Sequence, residues 1–79
     1  MNVSEQAGVF NFLKTKGFNL EESTPQRLRF EKEGDPDSEI IITNTETELP
    51  VQINISGEIS DYTATNFDDL MRYLDETIQ

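Results

Sequence analysis

Asp35, Asp37 and Glu39 stand two apart in the stretch DPDSE, and three carboxylates at that spacing could ligate a hard cation or work as an acid–base pair. Helix–loop–helix calcium loops open with acids at this spacing, but they need glycine at the sixth position, where this chain has Ile40. A dedicated metal site is therefore not expected. Acid–base work needs a cleft that raises one carboxyl pKa, and no apolar frame surrounds two convergent acids here. The chain has no histidine and no cysteine, which removes the commonest general base, thiolate chemistry, disulfides and the usual zinc sites together. Tyr62 and Tyr73 read as core or rim aromatics. With no glycine-rich phosphate loop and no nucleophile elbow either, the expectation is a protein that is not an enzyme and carries no cofactor.

Charge says more than any motif. Residues 1 to 32 carry five basic and four acidic side chains, net +1, whereas residues 33 to 79 carry twelve acids against Arg72 alone, net −11. Direct binding to nucleic acid or to an anionic membrane needs clustered Lys and Arg, so both are disfavoured. The natural complement is a basic protein. Carboxylates two apart on a strand lie about 6.8 Å apart and neighbouring strands about 4.8 Å apart, a charge density of the same order as a duplex backbone. The alternative is a surface whose acids serve solubility only.

In size, acidity and mixed α/β make-up the chain resembles the small phage-encoded inhibitors of host nucleases, the anti-restriction and anti-CRISPR proteins among them. That resemblance implies a DNA-mimicking inhibitor or adaptor whose partner is a nucleic-acid-processing enzyme.

These charges must be positioned by a small fold. Seventy-nine residues make one unit, 1–79, and bury about 60% of their unfolded surface, which leaves one modest core and no deep cleft. The spine is Glu39 to Ile59. There Val51, Ile53 and Ile55 alternate with Gln52, Asn54 and Ser56, and Ile40 to Ile42 form a β-branched run. Upstream, Phe18 and Leu20 pair with Leu28 and Phe30 around Ser23 to Gln26 as a hairpin, and Gly34 to Ser38 form a turn. Ser60 to Thr65 read as a loop.

Two helices flank this sheet. The first is capped by Ser4 and runs to about Lys16 with Ala7, Phe10 and Leu13 as its stripe, widened by Val9 or Phe12, and Gly17 ends it. The last is capped by Thr65 or Asn66, carries Asp68 and Asp69 in its first turn, and buries Phe67, Leu70, Met71, Leu74 and Ile78, with Asp68 and Arg72 as an i,i+4 pair. The predicted architecture is α+β, a three- or four-stranded antiparallel sheet with an N-terminal and a C-terminal helix packed on one face.

That order gathers Asp35, Asp37, Glu39, Glu58, Asp61, Asp68 and Asp69 at one end of the sheet as the partner-binding set, with Lys14 and Lys16 arriving to neutralise part of it. Glu46 and Glu48 then group with Asp75 and Glu76 at the other end. The sheet face away from the helices, with Arg27, Arg29, Glu31, Ile41, Thr43, Gln52, Asn54 and Ser56, is the alternative binding surface, for a partner or for a homodimer mate. The longest uninterrupted apolar run is the three isoleucines and no leader pattern opens the chain, so the expectation is a soluble, cytoplasmic protein. The Asn-x-Ser matches at Asn2 and Asn54 carry no weight without a secretion signal.

Overall fold

A computed structural model describes residues 1–78, leaving Gln79 of the expected 1–79 unit outside the described residues. The order is α1 (Val3–Thr15), β1 (Phe18–Ser23), β2 (Arg27–Lys32), β3 (Asp35–Thr43), β4 (Leu49–Ile55), β5 (Glu58–Ala64) and α2 (Phe67–Thr77). The five strands lie in sequence order, each antiparallel to the next. The α+β reading holds. The strand count does not, because Glu58–Ala64, expected as loop from Ser60 on, is a full fifth strand.

That strand exists because of a turn. Ser56 and Gly57 both take positive φ, 52° and 93°, and Ile55 pairs with Glu58, so they form the two-residue mirror-image turn whose twist matches the strands it joins. Beyond it Ser60, Tyr62 and Ala64 lie on the row of Ile53, Val51 and Leu49, while Ile59, Asp61 and Thr63 face the other way. Glu33 and Gly34 make the β2–β3 turn, with Lys32 opposite Asp35. Pro36, Asp37 and Ser38, expected in that turn, instead bulge from β3, since the next pair is Glu31 with Glu39.

Alternation on all five strands places Phe18, Leu28, Phe30, Ile40, Ile42, Leu49, Val51, Ile53 and Ala64 in one core with Val9 and Leu13 of α1 and Leu70, Leu74 and Ile78 from α2 and its C-cap. Ile41 falls on the opposite face, half-buried between Arg29 and Gln52. The α1 stripe differs from expectation: Val9 and Leu13 are buried and Ala7 is exposed. Asn2, not Ser4, caps α1, accepting from the Glu5 amide at 2.8 Å while the Glu5 carboxylate accepts from the Asn2 amide at 3.0 Å. Asn66 caps α2, accepting from the Asp69 amide at 2.9 Å.

Candidate functional site

Each strand reverses the chain, so the added β5 moves the start of α2 to the far end of the sheet. Asp35, Asp37 and Glu58 flank the turns Glu33–Gly34 and Ser56–Gly57, with Glu39 further along β3 opposite Glu31. Asp68 and Asp69 open α2 at the opposite end, near the β3–β4 loop, where Glu46, Glu48, Asn66 and Phe67 line one shallow depression. The expected groupings are thus exchanged. Asp75 and Glu76 travel toward the turn end, and Asp68 and Asp69 join Glu46 and Glu48. Lys16 does arrive at the turn end, beside Phe18, Lys32 and Ile78.

Three of the seven predicted acids are engaged within the protein. Asp35 accepts from the Ser38 hydroxyl at 2.7 Å and the Ser56 hydroxyl at 3.5 Å, and the buried Ser38 oxygen in turn accepts from the Ser56 amide at 3.0 Å. These bonds tie the β3 bulge to the β4–β5 turn. Glu39 shares Arg29 with Glu31 and Glu22, at 3.6, 3.0 and 4.0 Å. Those carboxylates hold the guanidinium more firmly protonated than usual, the Glu31 hydrogen bond most of all.

Asp69 is the most committed. It accepts from the Tyr62 hydroxyl at 2.9 Å, the Arg72 guanidinium at 2.6 Å and the Thr65 amide at 3.1 Å. Those donors, Arg72 first, then Thr65 and Tyr62, hold its carboxyl down at about 2. The same carboxylate raises the Tyr62 phenol by accepting its proton in a hydrogen bond. Tyr62 stacks on Tyr73 with ring centroids 4.3 Å apart, and Ser60 and Tyr73 share a hydrogen bond of 2.5 Å. Arg72 also bonds Glu76 at 3.0 Å, so the helix pairs are Asp69–Arg72 and Arg72–Glu76 rather than Asp68–Arg72.

Here titratable groups converge most densely, but the shifts fix a charged carboxylate and a neutral phenol over the whole physiological range. A general acid or base needs a pKa near its working pH. The cluster clasps α2 onto β5.

Asp37, Glu58, Asp61 and Asp68 are the exposed members of the predicted set. Among the described residues no group of three or more acids could hold a metal ion. No described helix is long and apolar enough to cross a membrane.

Sequence reasoning missed β5 and the clasp. The one signal present was the turn dipeptide Ser56-Gly57, after which the chain can reverse into another strand. No protein-family model, no curated protein sequence and no solved structure matches the chain.

Proposed function

We propose that the chain is a non-catalytic binding protein whose β3–β5 and α2 side takes a basic protein in a cytoplasmic setting. A nucleic-acid-processing enzyme is the favoured kind of partner, and the action is that of an inhibitor or adaptor, as in phage anti-restriction and anti-CRISPR proteins. One observation carries this reading. Because the strands lie in sequence order, the charge step at residue 32 of the sequence becomes a step across the molecule. Lys14, Lys16, Arg27, Arg29 and Lys32 all belong to the α1–β2 side, and Arg72, on the other side, is bonded to Asp69 and Glu76. Like charges on the acidic side repel one another, and a basic partner relieves that repulsion while gaining speed of association. The surface is a side of the molecule rather than an end, and of the seven predicted acids Asp37, Glu58, Asp61 and Asp68 are exposed on it, with Glu46, Glu48, Asp75 and Glu76 exposed beside them.

A second reading, an interaction or dimerisation module using the open sheet face, has one observation in its favour: Ile59 is 62% exposed at the margin of that face. Salt distinguishes the two. The partner should be captured from a lysate at low ionic strength and released in steps, once with the parent and once with a variant carrying Asp37→Asn, Glu58→Gln and Asp68→Asn, none of which lies on the open face. The acidic-side reading expects a basic protein that elutes at moderate salt and is lost with the variant. A neutral partner that stays through high salt on both baits would overturn it in favour of the open face.

A further inference from the structure

The two outer strands of the sheet are not alike. The β1 edge is interrupted by a bulge, with the register shifting between Leu20 and Glu22, and bulges are a common guard against strand addition. By contrast β5 pairs with β4 at seven successive positions without a shift, and among the described residues no strand lies beyond it. The two-residue turn makes Ile55 and Glu58 a hydrogen-bonded pair, and such pairs alternate along an antiparallel ladder. The amides and carbonyls of Ser60, Tyr62 and Ala64 therefore point inward to β4, and those of Ile59, Asp61 and Thr63 point outward.

From this we infer that β5 is a docking edge for an extended basic segment of a partner, which adds to the sheet as a sixth strand. This rests on the reading of the acidic side as the binding side and names its mode. Charge complementarity selects the occupant. A second copy of this chain, paired antiparallel over the full length of β5, sets Asp61 opposite Asp61, and like charges directly opposite destabilise a strand pair. Moving the register by two residues leaves the two Asp61 side chains diagonal neighbours. A strand with lysine or arginine opposite Asp61 meets the opposite result, while Ile59 offers an exposed apolar contact on the same face. Main-chain bonds supply affinity in this mode, and alternate side chains supply selectivity.

The test uses the whole chain and a capped synthetic peptide of alternating lysine and valine. Two further peptides have the same sequence and charge but carry N-methyl groups on alternate residues, on the lysines in one and on the valines in the other, so that each has one edge blocked and one edge still able to pair. The proposal expects the methylated form whose blocked amides face β5 when lysine lies opposite Asp61 to bind at least tenfold more weakly than the unmethylated peptide, and the other methylated form to bind about as tightly as the unmethylated one. It also expects slowed hydrogen exchange at the amides of Ile59, Asp61 and Thr63, and weaker binding to the Asp61→Asn variant. Equal, salt-sensitive binding of all three peptides would overturn strand addition and leave the acidic-side reading standing. Absence of binding by any peptide at low salt would overturn both.

Discussion

The two flanks of this sheet share one core and differ in almost everything outside it. On the β1 flank acids and bases interleave, as in Glu22 with Arg27 at 3.2 Å and Arg29 with Glu31 at 3.0 Å, and the outer strand is bulged. On the β5 flank the outer strand is regular, its side chains are exposed from Glu58 to Asp61, and its one cation is spent on the Asp69 clasp. The first pairs much of its charge within itself and has an interrupted edge; the second carries the exposed acids Asp37, Glu58, Asp61 and Asp68 and a regular edge. Surface ion pairs contribute little to stability, so the difference lies less in how firmly each flank folds than in what each can still bind.

The sharpest way to break the comparison is through what the flanks share. Phe30, fully buried in β2, touches the common core, and Phe30→Ala should cost about 3–5 kcal/mol in urea denaturation. The outward Ile59→Thr should change stability by about 0.5 kcal/mol or less. A comparable loss from Ile59→Thr would mean that β5 is covered. Next in size is the turn that creates β5. Gly57 holds φ at +93°, and Gly57→Ala should cost about 1 kcal/mol, with the loss of exchange protection concentrated in Glu58–Ala64 rather than in β1 and β2.

The clasp gives a pH signature specific to one flank. The Asp69 carboxyl is held at about 2, below its ordinary 3.8, so its contribution is complete above about pH 4 and is lost as pH falls toward 2. Asp69→Asn should lower the Tm at neutral pH, and the gap from the parent should close across that acid window. A gap that stays constant from neutral pH down to pH 2 would show that the charged form is not what matters. The smallest effect concerns repulsion among the unpaired acids: added sodium chloride should raise the Tm of the free protein slightly, and neutralising Asp37, Glu58 and Asp61 should remove part of that rise.

Much of the architecture was legible in the sequence because its period is plain. Val51, Ile53 and Ile55, and Leu70, Leu74 and Ile78, could take only one arrangement with an apolar face inward. Gly17, left-handed at φ +89°, marked the end of α1 as expected. β5 was hidden because its inward row is Ser60, Tyr62 and Ala64, which carries little hydrophobic signal; Tyr62 lies inward by virtue of stacking and a hydrogen-bonded tip. From that one strand the misplaced acids followed, since whether Asp68 and Asp69 sit with Asp35 or with Glu46 depends only on the parity of strands before α2. Side-chain choices within reach of several partners, such as Arg72 with Asp69 and Glu76 instead of Asp68, are set by where Tyr62 arrives, which no local pattern contains.

That the β3–α2 side is the binding side is a proposal open to direct test. Its most direct measurement is an NMR titration of the isotopically labelled chain with the basic protein recovered at moderate salt. Amide shifts should concentrate in Glu33–Glu39, Glu58–Thr63 and the exposed flank of α2, and fade as salt is raised. Shifts centred on Arg27, Arg29, Ile41 and Gln52, insensitive to salt, would contradict it and move the binding site to the open face.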